Sequence, residues 1–225
     1  MVASSVIRFQ PFDPDDDKQV ETLIWQRTLC GWGIDSVEKW RSLVRRNVKG
    51  LYWIHPADRE DPGPRFRYPL PDLEPLNLEP NKTGPPAPHP DFRPIGHVSL
   101  DWEDYEGDES LAKRDEGICT IASFYILASQ QGTGLGSVVM RELEEQARES
   151  GGKTITLNTL CGIAAQEPEF WKKMGMEFDP NRRLMEPWYT RLGYKAYKRM
   201  PRYPTLDRDG NMYKVQAVFM RKDLV

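Results

Sequence analysis

The sequence predicts an α/β domain, and three observations carry that prediction. An apolar, β-leaning run from Ile118 to Leu127 leads directly into a glycine-rich turn, Gln130-Gln131-Gly132-Thr133-Gly134-Leu135-Gly136, and then into a helical pattern over Ser137–Glu149. A second β-branched run, Thr154–Leu160, follows that helix. Further strand and helix patterns lie on both sides of this unit, broken by one stretch, residues 56–94, that holds twelve of the nineteen prolines.

Val6-Ile7-Arg8-Phe9 reads as the first strand. Asp13-Pro14-Asp15-Asp16-Asp17 reads as a turn into a helix, where carboxylates suit the positive end of the helix dipole. Val20, Leu23, Ile24, Arg27 and Leu29 extend that helix to about Cys30, and Gly31-Trp32-Gly33 ends it. A second helix is expected over Ser36–Val48, capped by Asp35 or Ser36, with a strand at Leu51–Ile54. Prolines exclude regular helix and central strand from 56–94. The apolar groups scattered through it, Phe66 and Phe92 among them, predict an extended insertion partly packed on the domain. Ile95–Trp102 reads as a strand and the acidic Asp101–Glu109 as a hairpin loop. Gly117–Leu127 is the central strand. Leu135, Val138, Val139, Leu143 and Ala147 give the next helix an apolar face. Glu167–Lys173 and Pro187–Leu192 read as short helices, and Tyr194–Met200 and Val215–Met220 as closing strands.

The length suits one domain with an insertion. A net charge of −3 with no basic tract argues against a nucleic-acid partner. Cys30, Cys119 and Cys161 are too few and too widely spaced for a disulfide framework or a zinc site, so no metal is expected and a reduced, cytoplasmic or nuclear setting is. No signal-type stretch and no apolar run long enough to span a bilayer occurs, so no membrane partner is expected.

A strand, a glycine turn and a helix start in succession make an anion site. Glycines let successive N–H groups converge, and the helix start adds unpaired donors. A Walker A loop is excluded, because Gly136 is followed by Ser137 and Val138 with no lysine. A dinucleotide fingerprint fails on spacing, because no third glycine follows Gly134-Leu135-Gly136.

Gln131-x-x-Gly134-x-Gly136 resembles the Arg/Gln-x-x-Gly-x-Gly/Ala loop of the GNAT N-acetyltransferase superfamily. The flanking strands agree with it. Trp188-Tyr189-Thr190-Arg191-Leu192-Gly193-Tyr194 resembles the superfamily's Tyr-x-x-x-Gly-Phe/Tyr element, and Phe170–Met176 mimics it with Trp171 in place of the tyrosine. The resemblance covers residues 95–225 and extends to 1–55, omits 56–94, and as a whole is similar to a fungal branch. It implies one GNAT-like domain over 1–225 with a mixed, mostly antiparallel sheet, and acetyl-CoA as co-substrate.

The resemblance also implies roles. The N–H groups of Gly132, Thr133, Gly134, Leu135 and Gly136, with Gln131 and Ser137, would hold the pyrophosphate. Glutamine lacks the charge of the superfamily's usual arginine. Backbone donors near Phe124 and Ile126 would meet the oxyanion and the pantetheine arm, with Asn158 a further contact. Tyr189 would protonate the leaving thiolate. Thr120 stands eleven residues before Gln131, where the superfamily often has a glutamate base, and threonine cannot serve. Glu116, Asp101 or Glu103 acting through water are the substitutes; His97 reads as a satisfied core histidine. The expected reaction is acetyl transfer to a primary amine of a small molecule, with the acidic 101–109 run either drawing a cationic amine or forming a solvated hairpin. Protein lysine or N-terminal acetylation, and a non-catalytic acyl-CoA-binding module, stand as alternatives.

Overall fold

Strand β1 (Ile7–Pro11) opens the chain and pairs with β2 (Leu51–Pro56), Phe9 facing Ile54. A computed structural model describes residues 6–57, 87–173, 177–180 and 184–224, and at 205 and 206 the backbone alone. Between the two strands lie helices α1 (Asp17–Cys30) and α2 (Val37–Arg45). Asp16 caps α1 by accepting from the Lys18 N–H at 3.0 Å, and Gly31, at φ 77°, closes it with its N–H on the Arg27 carbonyl. The second helix is shorter than its apolar pattern suggests: Ser36 stands at its start without a side-chain bond, and Asn47, at φ 57°, turns the chain into β2.

β3 (Gly96–Asp101) pairs antiparallel with β2 and is buried along its length. β4 (Ile118–Ile126) pairs antiparallel with β3 on its other side. Helix α3 runs over Leu135–Glu149, β5 over Thr154–Leu160, and short helices α4 (Gly162–Ala165), α5 (Pro168–Lys173) and α6 (Met185–Arg191) follow. A long hairpin, β6 (Lys195–Leu206) and β7 (Met212–Asp223), ends the sheet, whose order is β1-β2-β3-β4-β5-β7-β6. Only β4 and β5 are parallel, joined by the α3 crossover. This is a single GNAT-like α/β domain with a mixed, mostly antiparallel sheet and helices on both faces.

The last strand corrects the sequence reading, which ended it at Met200. β6 continues past Pro201 and Pro204 because it is the edge strand, where a missing N–H leaves no ladder partner short, and its register shifts between Pro201 and Tyr203.

Two apolar layers sandwich the sheet. Leu135, Val138, Val139, Leu143 and Ala147 of α3 pack with Cys119, Ile121, Ile155 and Leu157. On the other face Val20, Leu23, Val37, Trp40 and Leu43 of α1 and α2 cover Leu51 and Trp53. Of the insertion, residues 58–86 lie outside the described residues. Its end returns along α1: Phe92 packs edge-on against Trp53 at 5.3 Å, His89 meets Glu21 at 2.9 Å, and the Pro94 carbonyl accepts from Gln26 at 2.9 Å.

Candidate active site

The central strand is built to come apart. Ile118–Ile121 of β4 pair with Thr154–Leu157 of β5, and there the parallel pairing stops. Beyond it, Asn158–Leu160 continue only on β7, while Ala122–Ile126 continue only on β3. The cause is a bulge. The β3–β4 register shifts between His97 and Ser99, and Ser123 sits at φ 53°, a left-handed conformation that L side chains rarely adopt. Ser99 Oγ lies 3.0 Å from the Ala122 carbonyl and 3.1 Å from Asp101 Oδ2, and receives Lys49 Nζ at 2.8 Å. A buried Lys49–Asp101 pair at 3.0 Å thus stands directly behind the bend.

The bend opens a gap lined by backbone donors. The Leu127 N–H goes to the Ile95 carbonyl on the β3 side, so by strand alternation Ile126 and Phe124 turn their N–H and C=O groups toward the gap. The Ile126 carbonyl is taken by Gln131 Nε2 at 2.7 Å. Gln131 therefore braces the strand end rather than presenting its amide to the loop, and Thr133 likewise spends its hydroxyl on the Gln130 carbonyl at 2.9 Å.

The glycine loop sits at the top of this gap. Gly132 and Gly134 take φ 84° and 85°. α3 starts at Leu135, two residues earlier than its pattern, with Gly134 as its N-cap and no side-chain cap. The N–H groups of residues 132–136 have no acceptor among the described residues. Ser137 carries its hydroxyl in the first turn, while its N–H bonds the Gly134 carbonyl at 3.0 Å. Leu135 is buried and anchors the turn, so the five acceptor-free donors sit on a fixed base. That fits a pyrophosphate. Gly136 has a separate reason: a Cβ there would meet the Trp188 ring at 3.2 Å, so only glycine lets α6 approach α3 so closely.

The family model of the GNAT acetyltransferases matches residues 48–176. The chain belongs to the GNAT acetyltransferase family. Solved structures agree on the fold. An aminoglycoside 6′-N-acetyltransferase complexed with coenzyme A shares 13% identity at TM-score 0.53, with 97% of each chain covered. A probable acetyltransferase from Staphylococcus epidermidis shares 8% identity at TM-score 0.55, covering 97% of this chain and 99% of that one. A chimera of the Vibrio cholerae spermidine N-acetyltransferase and hSSAT shares 10% identity at TM-score 0.54, covering 98% of this chain and 96% of that one. Among curated protein sequences none matches the chain. Acetyl-CoA is the co-substrate of the GNAT family.

In this GNAT chain, Tyr189 of α6 is buried against Trp188 at 4.7 Å and Tyr194 at 6.0 Å, and burial alone holds its phenol above its ordinary value. Trp171 of the mimic segment is also buried, with its indole N–H on the Ala165 carbonyl at 2.7 Å, so it closes a helix end. Asn158 is engaged by Tyr203 of β6, whose hydroxyl donates to Oδ1. The Tyr203 phenol is also raised, by burial first and then by the neighbouring Tyr189, which places the two phenols near one another on the β5 side of the gap. From the other side, Trp32 between α1 and α2 reaches Tyr203 edge-on at 6.2 Å. Trp32, Tyr203 and Tyr125, the last with its phenol raised to about 12 mainly by burial, were not singled out in the sequence. Trp32, framed by two glycines, carried the available signal; Tyr203, between prolines, carried none.

The substitute bases fare differently. Glu116 precedes β4 at the end opposite the glycine loop, roughly 25 Å of strand away; its carboxylate is half exposed and pairs with Lys113 at 2.9 Å. Asp101 is buried and committed to Lys49 and the Gly50 N–H. Glu103 is exposed. Thr120 lies behind the sheet's parallel pair, with Oγ1 on the Thr156 carbonyl at 3.3 Å. The acidic hairpin is neutralised from within: Asp104 and Glu106 pair with Arg202 at 2.9 and 3.2 Å, Asp108 with Lys198 at 2.8 Å, and Glu109 with Lys113 at 2.8 Å. The run is thus an ion-paired loop tied to β6, with the Asp104 side chain 5% exposed, and not a freely solvated hairpin. His97 is fully buried between Gln26 and Arg27, as a core histidine should be.

Proposed function

We propose that the protein transfers the acetyl group of acetyl-CoA to a primary amine of a small molecule. The observation that carries this reading is the pairing of five acceptor-free N–H groups at 132–136 with a strand edge that has left its neighbour at Ala122. The loop binds the pyrophosphate, and the freed edge of β4 aligns the pantetheine arm with the thioester beside Phe124 and Ile126. The amine attacks the thioester carbon, and the oxyanion forms against N–H groups that are fixed before the reaction starts, so no reorganisation is needed as charge develops.

Collapse of the intermediate expels the thiolate. Tyr189 donates to it. Its phenol remains protonated throughout the neutral range, which suits a donor and excludes a base. Neither Glu116 nor Asp101 has a carboxylate free at the cleft, so the attacking amine loses its proton to water. The contact of Trp32 with Tyr203 spans the acceptor side of the gap and favours a small acceptor over a peptide tail. Release of free thiol from acetyl-CoA, measured with small amines and with lysine peptides, tests the reading. Faster turnover of the small amines supports it; turnover of peptides alone, or of no amine at saturating acetyl-CoA, contradicts it.

A further inference from the structure

Arg27 is a buried cation without an anion. Its side chain is 6% exposed. Nε donates to the Trp32 carbonyl at 2.6 Å, Nη1 lies 3.4 Å from His97 Nε2, and the guanidinium sits over the Trp40 ring at 5.2 Å. All three partners are neutral. Gln26 gives its Nε2 to Pro94, so its Oε1 takes the proton of His97 Nδ1 at 2.7 Å, and His97 Nε2 turns its lone pair to Arg27. Among the described residues Arg27 forms no ion pair, and the other titratable groups beside it are the Cys30 thiol and the Tyr125 phenol.

Other cations among the described residues differ. Buried Lys49 holds Asp101 at 3.0 Å, and half-buried Arg202 holds Asp104 at 2.9 Å. The negative end of α1 offsets part of the Arg27 charge, since Arg27 lies in its last turn. A guanidinium removed from water with only dipoles around it is nevertheless costly to keep, and such groups mark binding sites. Two features bear on its position. Nη2 has no hydrogen-bond partner among the described residues, and Gly33 packs beside it, where a Cβ would come within 3.3 Å. Tyr125, the neighbour on the sheet, belongs to the part of β4 that has left β5. The charge therefore lies on the acceptor side of the gap, beside the loop that carries Trp32.

We infer that Arg27 is an anion site in the acceptor half of the cleft, and that the acceptor amine carries a carboxylate. The inference rests on the acetyl-transfer reading above. A carboxylate matches the planar fork of a guanidinium, and Trp32, Tyr125 and Tyr203 give an aromatic wall for an apolar remainder. In the reaction the amine nitrogen forms the new C–N bond, the C–S bond breaks, the ammonium proton leaves to water and the thiolate takes a proton through Tyr189. The carboxylate is unchanged and only positions the amine. A polycationic acceptor is disfavoured, because the acidic hairpin is already paired and the unpaired charge here is positive.

Matched pairs that differ by the carboxylate test this: L-tryptophan against tryptamine, and 4-aminobutyrate against propylamine, with O-phosphoethanolamine against ethanolamine as the phosphate arm. In the wild-type protein kcat/KM should favour a carboxylate-bearing member by roughly ten- to a hundredfold, the range for a charged hydrogen-bonded contact. Arg27→Gln should collapse that ratio toward one, and Arg27→Lys should restore part of it. A purely structural arginine would lower both members of a pair alike and leave the ratio intact, which overturns the inference. So does a wild-type ratio near one, which decides the matter even if the variants fail to fold. Preference in the phosphate arm alone overturns the carboxylate assignment. Calorimetry of the same acids against the CoA-bound protein separates the two readings. Carboxylate-dependent binding without acetyl transfer keeps the anion site and sinks the transfer proposal. Transfer without carboxylate preference does the reverse, and neither binding nor transfer overturns the anion site.

Discussion

Tyr189 and His97 are both buried and both held neutral, yet for opposite ends. In the proposed reaction Tyr189 acts only as negative charge builds on sulfur. Tyr189→Phe keeps the ring against Trp188 and removes the hydroxyl alone. Its kcat should fall by roughly ten- to a thousandfold, up to about 4 kcal/mol of barrier, where thiolate departure limits the rate. The dissociation constant for CoA should stay the same. Stopped-flow thiol release together with CoA titration checks both; an unchanged kcat with acetyl transfer rate-limiting would reduce Tyr189 to packing. Because the Tyr189, Tyr125 and Tyr203 phenols are all held up, none of them ionises between pH 6 and 9. The pH profile of kcat/KM should therefore rise with the ionisation of the acceptor amine and move with it when an amine of lower pKa is supplied. A profile that ignores the acceptor would point to a base on the protein. His97 acts on stability. Its imidazole is pushed well below 6.5, by burial first and then by Arg27 and Lys49. The unfolded chain thus binds a proton below pH 6.5 that the folded one refuses, and stability falls as pH falls through that value, the slope approaching about 1.4 kcal/mol per unit once the unfolded imidazole is fully protonated. Urea unfolding at pH 7.5 and 5.5 measures it, and His97→Gln should flatten the slope by that amount.

At the scale of elements, the sequence was most legible where one pattern had one reading. The strand, the glycine turn and the α3 helix could be placed from apolar spacing and glycine spacing alone. Their boundaries moved because Gly134 and Leu135 belong to the helix start, a matter of hydrogen bonds and not of hydropathy. β6 was read short, ending at Met200, because its remainder holds Pro201 and Pro204, which only an edge strand tolerates, and whether a strand lies at an edge is a property of the sheet. That error hid Tyr203. The bulge at Ser123 was equally illegible, since it depends on Ser99 and the Lys49–Asp101 pair, far away in sequence. Gly134→Asp tests the loop itself. It puts a side chain at φ 85° and a negative charge where five N–H groups converge, so CoA binding should be lost by calorimetry in a variant that still melts cooperatively. Retained affinity would take the pyrophosphate away from this loop.

At the scale of the whole molecule, the proposed reaction divides between the two faces of the sheet. The α3–α6 face would hold the pyrophosphate at 132–136 and place Tyr189, and the α1–α2 face would supply Trp32 and Arg27. The proline-rich insertion was recognised by composition, and its described C-terminal end packs on the second face, through His89, Asp91, Phe92 and Pro94. Replacing residues 58–86 by a short Gly/Ser linker should change the KM for the acceptor and leave the CoA constant unaltered; unchanged acceptor kinetics in a folded deletion would make the segment irrelevant to the cleft. The central claim is that the gap between β4 and β5, with residues 132–136 at its head, binds acetyl-CoA. The most direct measurement is a titration of isotope-labelled protein with CoA, followed amide by amide. The account predicts the largest shifts at the N–H groups of 132–136 and of Phe124 and Ile126, saturating together with one dissociation constant. Saturable binding that leaves those amides unmoved, or the absence of binding in the folded protein, would contradict it.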